Sequence, residues 1–295
     1  LDFVGKKMSV FYSNGVALYD LVLNGLLVTT KNTYWFSTVN YNLPLTPVVV
    51  SKISCRDYSN YIITNTGALY VTGSNSNGKL GTGDTTSLVD FTFVETPAPV
   101  SMATGGYSQG ALITVGGDLY TFGLNHRGQL GLGHSGFSEY YPTPQFVTSG
   151  VASVSCGYYG YHTAYVTTTG NLYTFGYNDT GQLGDGTYIQ RDSPTYIASN
   201  VLSISLGSSH TMYVTKTGDL YGFGNNTYGQ LGDGTTTNRN TPTYIVSNVA
   251  NVYCGYLYTM YITTSGALYG MGWNAPGQLG IGSSDYNPHP NPILV

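Results

Sequence analysis

The chain has 295 residues, of which only 8% are charged, and its formal net charge at pH 7 is −4. Its 10 Lys and Arg residues are too few for a phosphate-neutralising surface, so we predict no nucleic-acid partner. No apolar run reaches the roughly 18 residues of a spanning helix, so no membrane insertion is expected. The 29 Tyr residues take the place of Lys and Glu on the surface. This composition favours an extracellular, cell-surface or virion (appendage) setting over the cytoplasm.

The N-terminal part of the chain is predicted to form a degenerate first blade. β-branched and aromatic runs indicate strands at residues 7–12, 16–22, 26–30 and 33–36. Asn14-Gly15 and Asn24-Gly25 are typical hairpin turns between them. Residues 1–47 could equally contain two eroded half-units. Because the chain begins at Leu1 and not at Met, we expect that a preceding segment has been removed.

From residue 48 onward, a Gly-x-Leu-Tyr motif occurs five times, followed by Gly-Gln-Leu-Gly or, once, Gly-Lys-Leu-Gly. The anchor tyrosines, 48 to 53 residues apart, are Tyr70, Tyr120, Tyr173, Tyr221 and Tyr269. Strand-forming runs between Gly-rich turns at this period are typical of a β-propeller. We therefore predict an all-β fold, a single closed β-propeller domain over residues 1–295. It would have about six, or alternatively seven, four-stranded blades, with five clear repeats over 48–282.

The last residues, 283–295, are predicted to be the closing strand of the ring. Residues 292–295 resemble residues 242–246, which we interpret as the opening strand of a unit. We expect the N-terminal strands to supply the rest of that blade, so that the two ends are joined in one blade and no edge is left exposed. The Pro-containing segments at 97–99, 142–144, 193–194 and 241–242 are expected to connect neighbouring blades.

Further positions match between the repeats, namely Cys156-Gly157, His162-Thr163, Gly181-Gln182-Leu183-Gly184, Leu206-Gly207 and His210-Thr211. This pattern resembles the repeat of the regulator of chromosome condensation family. The resemblance implies a propeller, usually seven-bladed, and three kinds of activity. They are guanine nucleotide exchange on a small GTPase at chromatin, inhibition of a partner enzyme as in a secreted β-lactamase-inhibitory propeller, and general interaction. Nucleotide exchange at chromatin needs a basic surface, which this composition does not supply.

The turn after the Cys position varies most between the repeats and is rich in Tyr. Because a closed propeller places equivalent turns on one side, we predict a rim that binds a protein or a glycan. The predicted partner-binding residues are Tyr58, Tyr107, Tyr158, Tyr159, Tyr161, Tyr256 and Tyr258. The alternative is that Tyr is simply the general surface residue of this chain. The loops that carry Leu124, Tyr177, Asn226 and Trp273, predicted on the opposite rim, would then be the candidate site.

Three groups of polar or reactive residues are predicted to be structural. Cys55, Cys156 and Cys254 share one position of the repeat and should be buried and unpaired, and no Cys-x-x-Cys suggests zinc. His162 and His210 match the His position of the family that the repeat resembles, and this resemblance implies rings hydrogen-bonded inside the blades. Asp185 and Asp233 should accept local N–H bonds, because single carboxylates are too few to hold calcium. We therefore predict no metal site.

Asn178 and Asn225 begin Asn-x-Thr sequons and are candidate glycosylation sites. No nucleophile, metal or nucleotide-loop signature occurs, so we predict no catalytic residue, no cofactor and no enzymatic activity. A hydrolase that relies on Asp pairs is the remaining enzymatic alternative, because Glu95 and Glu139 are the only Glu residues.

Overall fold

Short Gly-rich turns let each repeat fold back on itself as antiparallel hairpins. The computed structural model describes residues 2–3, 6–13, 16–23, 26–30, 49–56, 58–159 and 161–295. We number its strands β1 to β24 along the chain. The first sheet contains β1 (Asp2–Phe3), β2 (Lys6–Ser13), β3 (Val16–Leu23) and β4 (Leu26–Thr30), paired in that order. The fourth strand predicted in this region, 33–36, lies outside the described residues.

The five clear repeats form five further four-stranded sheets, which we name blades I to V. Blade I contains β5 (Val50–Arg56), β6 (Ser59–Thr64), β7 (Leu69–Gly73) and β8 (Leu88–Val94). Blade II contains β9 (Val100–Gly105), β10 (Gln109–Thr114), β11 (Leu119–Leu124) and β12 (Tyr140–Thr148). Blade III contains β13 (Val151–Cys156), β14 (His162–Thr167), β15 (Leu172–Gly176) and β16 (Arg191–Ala198). Blade IV contains β17 (Val201–Leu206), β18 (His210–Thr215), β19 (Leu220–Gly224) and β20 (Arg239–Val246). Blade V contains β21 (Val249–Cys254), β22 (Tyr258–Thr263), β23 (Leu268–Asn274) and β24 (Asp285–Leu294).

The predicted fold class, an all-β propeller of four-stranded blades, is confirmed. The first strands of neighbouring blades, β5, β9, β13, β17 and β21, contact one another in that order and therefore border a central opening. Arg56 at the end of β5 donates a hydrogen bond from Nη1 to the Leu206 carbonyl of blade IV at 3.4 Å, which crosses this opening.

The hydrophobic core lies between the blades. Four clusters of buried side chains each combine residues of two neighbouring blades, from I and II through to IV and V. In the cluster between blades III and IV, for example, Ala164 and Leu172 of one sheet pack with Leu206 and Phe223 of the next. Each repeat therefore buries its apolar surface only by stacking on its neighbour.

The Gly-Gln-Leu-Gly motif lies in the loop after the third strand and packs onto the next blade. Gly184 of blade III has a φ of +72°, and a Cβ added there would lie 2.8 Å from the Phe223 ring of blade IV. The Thr211 hydroxyl of blade IV donates to the Gln182 carbonyl of the same loop at 2.9 Å. Glycine is therefore required at Gly184 both by the left-handed backbone and by the close approach of the ring.

The structure corrects the predicted role of the Pro-containing segments. Pro142, Pro194 and Pro242 lie within the outermost strands β12, β16 and β20, and only residues 97–99 connect two blades. Likewise, β24 pairs with β23, with Leu294 opposite Tyr269. The described pairings thus place the C-terminal strand in blade V and not in a blade shared with N-terminal strands. An outermost strand can accommodate Pro because one of its edges needs no N–H donor.

The three cysteines are free, but they differ in burial. Cys156 is buried in the cluster between blades II and III, and burial raises the pKa of its thiol to about 12. Cys254 is half-buried, with a thiol pKa raised by burial to about 11. Cys55 is exposed and belongs to none of the four described clusters. The prediction of burial is therefore right for Cys156 and wrong for Cys55.

Thiol labelling of the native protein at pH 8 should separate these cysteines. We expect one thiol to react rapidly with a disulfide reagent, and this fast phase should disappear in Cys55→Ser. Cys156 should react only after denaturation, because a buried thiol with a raised pKa forms little thiolate. A fast phase that persists in Cys55→Ser would contradict this assignment.

A matched pair of glycine substitutions isolates the contact between blades. Gly184 and Gly186 both have positive φ, but a Cβ at Gly186 would meet only Thr241 at an ordinary 3.8 Å. Both Ala variants should therefore lose about 1–2 kcal/mol through backbone strain. Gly184→Ala should lose about 1–3 kcal/mol more through overpacking against Phe223. Urea denaturation of the two variants measures the difference, and equal losses would show that the ring contact is unimportant.

Candidate protein-interaction face

The turns between the first and second strands of the blades lie around one end of the central opening. Those of blades III, IV and V are joined by backbone hydrogen bonds: the Tyr158 N–H donates to the Gly207 carbonyl and the Ser208 N–H to the Tyr256 carbonyl, both at 3.0 Å. These bonds fix the turns relative to one another. The side chains that the turns carry are therefore presented together on one rim.

Five of the predicted tyrosines form a continuous cluster, which we call the tyrosine rim: Tyr107, Tyr158, Tyr159, Tyr161 and Tyr256. The ring centroids of Tyr107 and Tyr159 are 4.2 Å apart, and those of Tyr107 and Tyr161 are 6.3 Å apart. Tyr158 contacts Tyr159 at 5.1 Å and Tyr256 at 5.7 Å, and Tyr159 contacts Tyr256 at 5.5 Å. Tilted and edge-to-face pairs of this kind stabilise one another.

The rings of the tyrosine rim connect blades II, III and V. Tyr158 belongs to blade III and Tyr256 to blade V, so their contact passes over the turn of blade IV. That turn carries the small residues Ser208 and Ser209, and Ser208 is buried. Tyr107, Tyr159 and Tyr256 nevertheless keep 38%, 36% and 42% of their surface exposed. The rim is thus an ordered aromatic surface that remains open to solvent.

Two predicted residues do not join this cluster. Tyr58, in the turn of blade I, is 79% exposed, and no ring contact among the described residues includes it. Tyr258 is the first residue of β22, and a Cβ on Gly255 would lie 2.1 Å from its ring. It takes the place that His162 and His210 have in blades III and IV, so its assignment to the variable turn is wrong. Sequence alone misplaced it because the strand begins one residue earlier than expected.

The loops after the third strand lie on the same face as the tyrosine rim, not on the opposite one as predicted. The reason is the antiparallel register, in which His162 at the start of β14 pairs with Gly176 at the end of β15. The following Tyr177 donates its N–H to the Tyr161 carbonyl at 2.9 Å. The second strand thus begins where the third ends, and sequence analysis could have used this register to unite the two sets of loops.

Because of this register, three further residues lie on the face: His126, Arg127 and Tyr177. Sequence analysis missed the first two and placed Tyr177 on the opposite rim. The His126 ring contacts the Tyr161 ring edge-on at 4.6 Å, and the Arg127 guanidinium lies over the Tyr177 ring at 4.7 Å. Such a cation–π contact holds the arginine in place without a carboxylate. Of the other loop residues considered above, Trp273 contacts Tyr228, and Asn226 is fully buried.

Burial shifts the pKa values of two rings of the face, Tyr161 and His126, toward their neutral forms. Burial, and secondarily Tyr107, raise the pKa of Tyr161, while Arg127 opposes this shift. Burial and the nearby Arg127 lower the pKa of His126, so its imidazole is neutral at pH 7. Lys79 is buried below the rim and donates from Nζ to the Tyr107 carbonyl at 3.1 Å. Arg127 and Lys79 thus bring positive charges to this part of the chain, and Asp179, which is hydrogen-bonded to Tyr177, brings a negative one.

The histidines of the repeat hold neighbouring blades together. His162 Nε2 lies 3.1 Å from the Thr211 hydroxyl of blade IV, and His210 Nε2 lies 3.0 Å from the Thr259 hydroxyl of blade V. Both rings are fully buried, and burial lowers the pKa of His210 to about 3. The predicted structural role thus agrees with these contacts.

Asp185 and Asp233 organise their own loops, as predicted, and each also pairs with an arginine that sequence analysis missed. Asp233 Oδ1 accepts the Thr235 N–H at 3.0 Å, and Oδ2 accepts Arg239 Nε at 2.7 Å. Asp185 makes the same contacts with Thr187 and Arg191. Within the described ranges, no group of three His, Cys, Asp or Glu side chains is placed to hold a metal ion.

The two sequons differ in accessibility. Asn178 is fully buried, and its amide donates to Asp185 Oδ1 and to the Thr187 and Ile189 carbonyls. The prediction of glycosylation at Asn178 is therefore wrong for the folded chain. Asn225 is half-buried and takes the position of Tyr177 in the next blade, so it stays a candidate on the interaction face.

The geometry defines a β-propeller with a partly exposed aromatic rim at one end of the opening. A family model described as the RCC1-like domain matches residues 28–295, and the chain belongs to this family. The sequence pattern pointed to the same family. RCC1-like propellers generally mediate protein interactions, and most are binding or exchange-factor proteins. No helix in the described part of the chain has the length and apolar character needed to cross a membrane.

The fold is similar to several solved propellers. The crystal structure of human WBSCR16 has a TM-score of 0.73 and 22% identity, covering 86% of this chain and 69% of that one. Yeast RCC1 (Prp20) bound to Kap60 has a TM-score of 0.71 and 19% identity, covering 83% and 61%. Prp20p from Saccharomyces cerevisiae, described with its binding to Gsp1p and histones, has a TM-score of 0.71 and 18% identity, covering 83% and 63%. The chain thus spans less than two thirds of the yeast proteins, and these identities establish a shared fold.

The Asp233–Arg239 pair predicts a pH-dependent contribution to stability. Burial would raise the pKa of Asp233, but hydrogen bonds from Thr235 and Arg239 outweigh it and hold the pKa below its usual value. The stabilisation is therefore present above the unfolded carboxyl pKa of about 4 and is lost as pH falls through the folded value. Asp233→Asn should lower the free energy of unfolding at pH 7 by about 1.5–3 kcal/mol.

This loss should shrink when urea denaturation is repeated at progressively lower pH, because the parent carboxyl then also becomes neutral. Asp90→Asn, at an exposed position, is the control and should change stability little at either pH. A loss at Asp233 that is independent of pH would show that charge is not responsible.

Proposed function

We propose that this chain is a non-enzymatic interaction and structural module that binds a protein or glycan partner through its tyrosine rim. The observation that carries the proposal is the cluster of Tyr107, Tyr158, Tyr159 and Tyr256 rings, which are mutually packed yet partly exposed. Tyr side chains supply a large contact area at a low entropy cost, because few torsions have to be fixed on binding. Membership in a family that generally mediates interactions supports the same function.

The setting that we propose is extracellular, on a cell surface, or in a virion or appendage. Only 8% of the residues are charged, and exposed aromatic side chains take their place. A cytosolic protein normally relies on surface charge for solubility. Fractionation of the source into medium, envelope or particles, and cytosol tests the setting, and exclusive recovery from the cytosol would contradict it.

Inhibition of a partner enzyme is a special case of such binding, in which the rim would cover the partner's active site. Nucleotide exchange at chromatin is less well supported, because the chain has only 10 Lys and Arg residues. Hydrolysis is also less well supported, because the two buried carboxylates of Asp185 and Asp233 are each paired with an arginine. The partners of the yeast relatives are therefore not proposed for this chain.

Substitutions on the rim test the proposed binding site. The parent and the double variant Tyr159→Ala/Tyr256→Ala are immobilised and exposed to fractions of the source and to a glycan array. The control is Tyr244→Ala, a similarly exposed tyrosine on the outermost strand β20. A specific ligand should be retained by the parent and the control and lost by the double variant.

The affinities of single variants for that ligand then map the site. Truncation of Tyr159, at the centre of the cluster, to Ala should cost about 2 kcal/mol or more of binding free energy. Truncation of Tyr58, which contacts no described ring, should cost little binding free energy. Calorimetric titration measures both values, and equal binding by all rim variants would show that the ligand binds elsewhere.

A further inference from the structure

The turn of blade I departs from the other repeats at one position on the tyrosine rim face. The residue that follows the Cys position is glycine in the other blades, namely Gly106, Gly157, Gly207 and Gly255. In blade I this residue is Arg56, which pairs with Ser59 across the turn. A Cβ added to Gly207 would lie 2.0 Å from the His210 ring, whereas small Ser59 leaves room for a side chain. Blade I therefore tolerates a large residue there, and glycine would also fit.

Arg56 reaches the far side of the opening. Its Nη1 donates to the Leu206 carbonyl, and the next residue, Gly207, accepts the Tyr158 N–H. The adjoining Ser208 donates to the Tyr256 carbonyl. The guanidinium thus ends at the turn over which the Tyr158 and Tyr256 rings meet at 5.7 Å.

The charge of Arg56 is felt on several blades. Burial raises the pKa values of the Cys156 and Cys254 thiols, and the positive charge of Arg56 opposes both shifts. These cysteines end the innermost strands of blades III and V. The charge therefore lies inside the opening and not on the outer surface of blade I.

Most of the hydrogen-bonding capacity of this guanidinium is unused. Arginine has five N–H donors, and among the described residues only the bond to Leu206 uses one. The ion pairs of the described chain include Arg191 and Arg239 but not Arg56. A half-buried guanidinium with free N–H donors is matched best by a carboxylate, which can accept two parallel N–H bonds.

We propose that the tyrosine rim binds an acidic loop of a partner protein, and that Arg56 receives an Asp or Glu carboxylate of that loop. The proposal rests on the function proposed above and deepens it. Because Arg56 keeps free N–H donors and pairs with no carboxylate of the described chain, the group that complements it is an anion. A protein loop fits better than a sugar, because the rings pack against one another and leave few free faces for stacking.

The experiment uses constrained 12-residue peptides displayed on phage and selected on the parent protein. The clones kept are those whose binding is lost on Tyr159→Ala and retained on Tyr244→Ala. These clones should be enriched in Asp or Glu, and one peptide and its Asp→Asn or Glu→Gln counterpart are then synthesised.

Arg56→Gly introduces the residue that the other four blades carry, and Arg56→Lys keeps the charge without the planar fork. Thermal unfolding of each variant checks that the fold is retained.

The acidic peptide should bind at least tenfold more weakly to Arg56→Gly, and Arg56→Lys should recover only part of the loss. The neutral peptide should bind the parent as weakly as the acidic peptide binds Arg56→Gly. Binding of the neutral peptide to Arg56→Gly, which combines both changes, should be no weaker than either. This absence of additivity is the signature of a direct pair.

The outcomes separate this inference from the proposed function. The role of Arg56 is overturned, and the rim remains a binding site, in either of two cases. In the first, the peptides that need Tyr159 show no enrichment in Asp or Glu. In the second, they bind Arg56→Gly within twofold of the parent. Failure to select any peptide that depends on Tyr159 overturns both. Arg56-dependent binding of carboxylated glycans, without selection of acidic peptides, overturns the protein loop as the occupant.

Discussion

The contact between the Gly-Gln-Leu-Gly loop of one blade and the sheet of the next is the interaction on which the rest of the structure depends. It combines a hydroxyl-to-carbonyl hydrogen bond, as between Thr211 and Gln182, with a glycine pressed against a ring, as Gly184 is against Phe223. The same hydrogen bond occurs between Thr163 and Gln129 and between Thr259 and Gln230. Because a single sheet cannot bury its apolar face alone, this contact turns a row of marginal sheets into one fold.

The same loops support the interaction face. The buried Asn178 side chain accepts the Leu183 N–H at 3.0 Å and ties the start of its loop to the Gly-Gln-Leu-Gly motif. The loop therefore has a fixed shape, and the neighbouring Tyr177 and Tyr161 are held by backbone bonds. A rigid base lets the inner turns vary in sequence without loss of stability. Such pre-organisation reduces the entropy cost of binding, since few groups need to be ordered.

The rim combines neutral rings with positive charge. The hydrogen bonds that stabilise the fold already engage Asp185, Asp233 and their arginines, so these charges are neutralised locally. Two arginines near the rim make other contacts: Arg127 lies over a ring, and Arg56 donates to a backbone carbonyl. If the face binds a partner as proposed, these charges would contribute to the choice between partners.

The sequence by itself determined the period, the strand content and the family, because Gly at fixed offsets and alternating strand runs are local signals. It also predicted structural roles for His162 and Asp233, and their contacts agree with those roles. Tertiary structure alone decided that Pro242 belongs to an outermost strand, that Tyr258 stands in a histidine position, and that both sets of loops share one face. Those facts depend on which strands pair and in what register, a choice made by packing between residues far apart in the chain. For the same reason, the approach of Arg56 to blade IV could not be read from its neighbours in sequence.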